Sequence, residues 1–357
     1  MSLPYLQPYL GLSNGLNTLH AVGGPGGAVG GWVELGRTTL GSNGDSISVS
    51  SLPDKRYYMI LSDISSSGQG ATRPRINNDS GSNYSIRYQK DGGTDVTLTS
   101  QPYFTNYNGG FTNANVFHVT YLANYASKEK LLINHSNENE TLGAGTAPFR
   151  REYTGKWANT SDAVNRWDAL NFGTGDFASG SEVVVLGYDP LDSHTNNFWE
   201  ELHSTTLTSD VSTSNAQFDS GTFTAKKYLW IQMFIDASFD PVVRFNGSSS
   251  GYAARGSTNG GADALDTSTS HAQVGHHICG TNMGFGNIFI INNANNEKLG
   301  ITHGIRIDTS GAGTAPDYRG ENVFKWTNTS NQITSLQVIK SVGTLRAGTT
   351  IKIWGAD

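Results

Sequence analysis

The feature that most constrains this chain is an internal repeat, because segments of its first half return in the same order in its second half. The motif GAGTAP occurs at Gly143–Pro148 and again, 168 residues later, at Gly311–Pro316. KWANTS at Lys156–Ser161 returns 169 residues later as KWTNTS at Lys325–Ser330. Self-similarity at a nearly fixed spacing indicates two copies of one structural unit.

Matching segments at the two ends of each copy set the boundaries. Trp32–Leu35 corresponds to Trp199–Leu202 at the start, and residues 178–187 correspond to 346–355 at the end. We therefore predict an N-terminal arm at 1–31, a first repeat at 32–188, a linker at 189–198 and a second repeat at 199–357.

One further match suggests that the two copies differ in length internally. Ile133–Asn139 matches Ile291–Glu297 at a spacing of 158, which predicts that the second copy is ten residues shorter before this point. We also align His118 with His277, at a spacing of 159. We expect the main differences between the copies at 101–115 and 297–310, in loops that absorb such changes without disturbing a core.

The pattern of residues within a copy is typical of β-structure. Several segments alternate apolar and polar residues, and no stretch carries a sustained apolar stripe of helical period. The 43 glycines suit many tight turns. Eight strands are predicted in the first copy, at 45–50, 57–64, 84–88, 95–99, 116–122, 130–134, 165–172 and 182–187. The predicted fold is all-β: two tandem homologous jelly-roll-like β-sandwich domains preceded by an extended N-terminal arm.

Charge and motifs exclude several classes of function. A net charge of −6 argues against nucleic acid as a partner. No apolar run approaches the ~18 residues of a membrane span, and no charged segment of a secretory signal precedes Arg37. The chain has no nucleophile elbow, phosphate-binding loop or dinucleotide fingerprint, and its carboxylates are scattered. We predict a protein without enzymatic activity, cofactor or membrane partner, made in a cytoplasm.

Two sets of residues are candidates for metal binding. Asp91 and Asp95 flank a Gly-Gly turn that the second copy repeats with Asn259 and Asp263. These four oxygen ligands could bind calcium, and capping of the turn by their side chains is the alternative interpretation.

The second set is the cluster His271, His276, His277 and Cys279, whose spacing fits no known zinc motif. The sequence therefore predicts no transition-metal site, and we expect chelators to leave the protein folded.

The N-terminal arm carries the candidate assembly residues Tyr5, Leu6, Tyr9 and Leu10. They belong to PYLQPYL, an uncharged segment with a tendency to extended conformation. Uncharged aromatic arms of this kind commonly bind a partner. A terminus without a binding role is the alternative.

Segments 31–45, 77–84 and 178–187 resemble structural proteins of tailed bacteriophages and marine phages. The resemblance covers both repeats but not the arm, and it implies a virion component that assembles with its own copies and with other virion proteins. Capsid decoration and a tail or fibre component are both open. A glycan-binding adhesin that recognises a host surface is the second hypothesis, and a double-jelly-roll major capsid protein is the third.

Overall fold

The protein is all-β in every part that the computed structural model describes. These parts are residues 31–104, 111–112, 114–190, 192, 197–212, 216–238, 241–272, 283–309, 311–340 and 343–357. They form antiparallel strands joined by turns, and none of them belongs to a helix that could cross a membrane.

Fourteen strands lie between residues 33 and 188. Their bounds are β1 Val33–Thr39, β2 Ser46–Ser50, β3 Tyr57–Ser67, β4 Gln69–Gly70, β5 Thr72–Ile76, β6 Tyr84–Lys90, β7 Val96–Gln101, β8 Phe111–Thr112, β9 Asn115–Ala123, β10 Lys130–Asn139, β11 Phe149–Trp157, β12 Arg166–Asn171, β13 Asp176–Phe177 and β14 Glu182–Tyr188.

Eleven strands lie between residues 200 and 356. Their bounds are β15 Glu200–Thr206, β16 Ala216–Thr222, β17 Tyr228–Asp236, β18 Val242–Phe245, β19 Tyr252–Thr258, β20 Ala264–Thr269, β21 Met283–Ile291, β22 Lys298–Ile307, β23 Tyr318–Trp326, β24 Ser335–Lys340 and β25 Thr350–Ala356.

Each half of the chain forms a sandwich of one large and one small sheet. The large sheet of the first repeat has the order β1-β14-β3-β9-β10-β11-β6-β7, and its small sheet has the order β2-β12-β5. The second repeat has the order β15-β25-β17-β21-β22-β23-β19-β20 opposite β16-β24-β18. The strand orders match one for one, and the prediction of an all-β fold with two sandwiches is confirmed.

The core of each sandwich lies between its two sheets. In the first repeat the indole of Trp167 on the small sheet is buried among side chains such as Ile60 and Ile86 of the large sheet. In the second repeat Leu336 takes the place of Trp167. Apolar side chains that point inward from both sheets hold each sandwich together.

All eight strands predicted in the first repeat are present, and three longer ones were not predicted. These three are β1, β5 and β11. The sequence of β5, TRPRI, contains a proline, and that of β11, FRREYTGKW, is highly charged. Arg150 and Arg151 are buried in ion pairs, and such buried charges, like a proline at the edge of a sheet, obscure the alternation by which strands are recognised.

The expected length difference between the copies is wrong. Leu131 pairs with Ala123, and 168 residues later Leu299 pairs with Ile291 in the same way. This register aligns His118 with Gly286, and His277 lies outside the described residues. The match at a spacing of 158 was a chance similarity of short segments rich in Ile and Asn.

Candidate functional site

The outer faces of the two large sheets pack against each other and form a third apolar cluster between the repeats. The rings of Phe117 and Tyr228 have centroids 6.4 Å apart across this contact. The first repeat contributes Met59, Leu61, Phe117, Val119, Val184 and Leu186, and the second contributes Trp199, Tyr228, Phe289, Ile291, Leu299, Ile301, Val323, Trp354 and Ala356. Both faces of β3 and β14 are therefore buried, which explains their nearly continuous apolar sequences.

Equivalent apolar side chains on the outer faces of the two large sheets differ in burial. Leu299 and Ile301 on β22 are 1% and 3% exposed, because the first repeat covers them. Their equivalents on β10, Leu131 and Ile133, are 58% and 48% exposed. The first repeat thus presents to solvent an apolar surface of the kind that is buried in the second.

A charged pair beside these positions is likewise buried in the second repeat and exposed in the first. Glu297 and Lys325 are buried in the second repeat, where the Lys325 ammonium also hydrogen-bonds to Asn139 of the first repeat at 2.9 Å. Their equivalents, Glu129 and Lys156, form an ion pair at 2.9 Å with about two fifths of each side chain exposed.

The uncovered face of the first repeat forms an apolar groove. The groove has a volume of about 650 Å³. Its lining includes Trp32, Tyr57, Tyr121, Leu131, Ile133 and Lys156. We call this the β10 groove. An exposed apolar depression of this size marks a binding surface more often than a random patch of surface does.

The N-terminal arm joins the fold at the β10 groove. Trp32, the second of the described residues, lines the groove, and its ring lies 5.9 Å from that of Tyr188. Almost all of the predicted arm, with Tyr5, Leu6, Tyr9 and Leu10, lies outside the described residues.

A polar cluster lies between the repeats, beyond the apolar contact. His135 on β10 and Glu152 on β11 are cross-strand neighbours, and His303 and Glu321 repeat this pair on β22 and β23. The two imidazoles meet, with His303 Nε2 3.2 Å from His135 Nδ1. Arg150 Nη1 lies 2.5 Å from Glu152 and 3.6 Å from Glu321.

Burial and charge shape the protonation of this cluster. Burial, helped by the neighbouring His135, lowers the pKa of His303 to about 3, so its imidazole is neutral near pH 7. Burial raises the pKa of Glu152, but the His135 imidazole and the charge of Arg150 outweigh it and lower the value to about 2. Burial and the charge of Glu152 raise the pKa of Glu321.

A buried ion pair joins the repeats on one side of the cluster. The Arg150 guanidinium donates two hydrogen bonds to the Asp263 carboxylate, at 2.6 and 3.2 Å, and both side chains are at least 97% buried. Asp95, the equivalent of Asp263, is half exposed and lies 3.6 Å from Arg87 of its own sheet.

Each of the four candidate calcium ligands has a protein partner, and Arg150 is a partner of both Asp91 and Asp263. Asp91 and Asn259 have positive φ angles, and each accepts a hydrogen bond from a backbone N–H, that of Arg150 and that of Arg319 respectively. Both side chains therefore connect a turn with a Gly-Gly motif to the neighbouring strand, β11 or β23. Because Asp95 and Asp263 pair with arginines, calcium binding by this set stays a prediction without support from these contacts.

Sequence reasoning missed the cluster of His135, His303, Glu152 and Glu321. In the incorrect register His135 stands opposite Asn293, so the two histidines were not seen as equivalent. The signal was available, because the spacing of 168 shared by the GAGTAP motifs places His303 opposite His135. Of the four residues in the predicted histidine and cysteine cluster, only His271 is described, and it is half-buried just after β20.

Comparison with known proteins assigns no family to this chain. No family model matches it. No curated protein matches it either.

Solved structures give only distant similarities. Domains LG4-5 of the mouse laminin α1 chain are 10% identical over 98% of this chain and 93% of that one, with a TM-score of 0.18. The LG1-3 region of the laminin α2 chain is 8% identical over 91% of this chain and 63% of that one, with a TM-score of 0.19. The attachment invasion locus protein Ail of Yersinia pestis is 7% identical over 80% of this chain and 99% of that one, with a TM-score of 0.13. Spatial agreement this slight assigns no function.

Proposed function

We propose that this chain is a non-enzymatic structural protein of a virus particle, in which the N-terminal arm of one copy binds the β10 groove of a neighbouring copy. The observation that carries the proposal is the uncovered apolar groove beside the point where the arm joins the first repeat. Its partners are then other copies of itself and other proteins of the particle.

The residues of the arm match the chemistry of the groove. Residues 1–31 contain no Asp, Glu, Lys or Arg, and PYLQPYL supplies tyrosine and leucine side chains. The groove offers the exposed side chains of Leu131 and Ile133 together with aromatic rings such as that of Tyr57. Burial of three such side chains contributes roughly 5–8 kcal/mol, at about 1.5–3 kcal/mol each, before the cost of ordering the segment.

The arm is long enough to reach a neighbouring copy. Tyr9 precedes Trp32 by 23 residues, and an extended segment of that length spans up to ~75 Å. Glycines at 23, 24, 26 and 27 make the nearer part of the arm costly to order, at about 1–2 kcal/mol per residue. An arm that is bound at its PYLQPYL segment and flexible at its glycines would act as a tether between subunits.

The viral context rests on the resemblance of segments 31–45, 77–84 and 178–187 to structural proteins of tailed bacteriophages. In that context the chain is synthesised in the host cytoplasm and functions in the virion. Detection of the chain in purified particles by mass spectrometry tests the assignment, and its absence from them contradicts it.

A glycan-binding adhesin is the second candidate, and the aromatic rim of the groove favours it. The rings of Tyr57 and Tyr188 stack with centroids 6.1 Å apart, and Tyr57 is 40% exposed. Exposed aromatic rings beside polar groups such as Lys156 can stack on sugars.

Removal of the arm tests the assembly proposal. We expect the full chain to oligomerise with rising concentration and a chain that lacks residues 1–22 to stay monomeric, with the mass of each measured by light scattering. The melting temperature is expected to change little, because each sandwich has its own core. An oligomer of unchanged mass without the arm contradicts the proposal.

A groove variant tests the binding site of the arm. We expect Leu131→Asp to prevent oligomerisation and to abolish binding of a synthetic peptide of residues 1–22 to the truncated chain. Leu265→Asp is the matched control, because Leu265 is 55% exposed and lies outside the groove. Equal peptide binding by both variants would place the arm elsewhere. Saturable binding of a glycan from an array, lost in Tyr57→Ala, would favour the adhesin.

A further inference from the structure

The polar cluster between the repeats has the composition of a metal site. It contains two histidines and two glutamates, which the repeat supplies as one cross-strand pair from each copy. Imidazole nitrogen together with carboxylate oxygen is a typical ligand set for Zn²⁺ and related divalent ions.

The distances agree with coordination of one ion. The ligand atoms of His135, His303 and Glu152 all lie within 4.8 Å of one another. His303 Nε2 and His135 Nδ1 are 3.2 Å apart, and His135 Nδ1 is 3.9 Å from Glu152 Oε1. Two nitrogens bound tetrahedrally to Zn²⁺ at about 2.0–2.1 Å are about 3.3–3.4 Å apart.

The strand framework holds these ligands in place. His135 and His303 lie on central strands, β10 and β22, each paired on both sides. Cross-strand pairing fixes Glu152 beside His135 and Glu321 beside His303. A cavity of about 350 Å³ next to the cluster, lined in part by His135, Glu152 and Glu321, gives an ion access from solvent.

We propose that His135, His303 and Glu152 bind one divalent transition-metal ion between the two repeats, with Glu321 as the fourth ligand. The Arg150 guanidinium lies beside the carboxylates of Glu152 and Glu321 and balances their charge. When these two carboxylates turn toward the ion, Arg150 keeps Asp263 as its buried partner. The ion connects β10 of one repeat to β22 of the other and fixes the angle between the sandwiches. This proposal replaces the expectation of no metal site.

Metal titration of the full chain tests the proposal. The protein is treated with EDTA, exchanged into metal-free buffer and titrated with ZnCl₂ by calorimetry, and we expect one ion per chain. Co²⁺ should bind with the visible spectrum of a tetrahedral site, and Zn²⁺ should displace it. Millimolar Ca²⁺ should not, because calcium prefers six to eight oxygen ligands. No stoichiometric binding by the wild-type chain overturns the proposal.

Histidine variants locate the ion. We expect His135→Asn and His303→Asn each to weaken binding by more than about tenfold and to abolish the Co²⁺ spectrum. His203→Asn is the matched control, since His203 lies on β15 and is not part of the cluster. Circular dichroism in EDTA checks that all variants fold. Glu321→Gln should alter the Co²⁺ bands while binding persists. Unchanged affinity in a folded His303→Asn variant overturns the site.

Discussion

The carboxylate of Asp263 is buried, and its two oxygens are bound by the guanidinium of Arg150 from the other repeat. Such a pair adds little net stability when intact, because both charges lose their water. Removal of one partner leaves the other charge buried without compensation, and this costs much more. Asp95 at the equivalent position is half exposed, so water already solvates it.

Substitution at these two aspartates should therefore have unequal effects. We expect Asp263→Asn to lower the free energy of unfolding by about 3 kcal/mol, at the low end for a buried pair because Arg150 keeps Glu152. Asp95→Asn should change it by less than about 1 kcal/mol. Urea denaturation of both variants measures the difference. Equal decreases in the free energy of unfolding would show that the ion pair between the repeats contributes no more to stability than the exposed pair.

The buried histidines make stability depend on pH. Burial, helped by the charge of Arg151, lowers the pKa of His118 to about 3, as burial and His135 do for His303. In the unfolded chain each histidine binds a proton near pH 6.5. The unfolded state thus binds more protons between about pH 6.5 and 3, and stability falls as the pH decreases through this window.

The prediction is a loss of up to about 1.4 kcal/mol per pH unit for each histidine below pH 6.5. Urea denaturation at pH 7.5 and pH 5 in the presence of EDTA measures it. The variant His118→Asn should show a shallower dependence than the wild-type chain, whatever its stability at pH 7.5. A pH dependence of the same slope in both would show that His118 is protonated in the folded state.

At the scale of strands, β9 and β21 are equivalent in the two repeats, but the outer face of β9 is buried where that of β21 is exposed. Phe117 on β9 is 1% exposed and contacts Tyr228, whereas its equivalent Phe285 on β21 is 41% exposed. The two large sheets thus close on each other along one side only. The β10 groove and its lining lie on the side left open in the first repeat.

This unequal closure predicts different costs for the same substitution. We expect Phe117→Ala to destabilise the protein by about 3–5 kcal/mol, because it leaves a cavity between the repeats. Phe285→Ala should cost less than about 1 kcal/mol, as for an exposed side chain. Thermal and urea unfolding of the two variants provide the test. A large loss in Phe285→Ala would mean that something covers β21 in solution.

At the scale of the whole chain, the repeat and the all-β fold could be predicted from the sequence because they rest on local signals. GAGTAP and KWANTS mark equivalent turns and strand ends in each copy. Alternation along β2 and β6 indicates half-buried strands. These signals need only the residues of one segment.

The faces between the repeats could not be predicted in this way. Leu131 and Leu299 are the same residue in equivalent strands, yet one is exposed and the other is buried. Their difference arises from the contact of two sheets far apart in sequence, which no local pattern encodes. The His135–His303 pair could have been found from a correct register, but its contact could not.

The meeting of His135 with His303 has a consequence for how such a molecule can change by mutation. In a symmetric dimer of identical chains, a residue on the two-fold axis meets its own copy, so one mutation alters both partners at once. Fusion of the copies into a single gene removes that constraint. Each histidine can now be replaced alone, and Arg150 can keep Asp263 as a buried partner while Arg319 and Asp95 remain at the open side. When both repeats belong to one chain, one of two equivalent surfaces can therefore join the repeats while the other stays open to a different ligand.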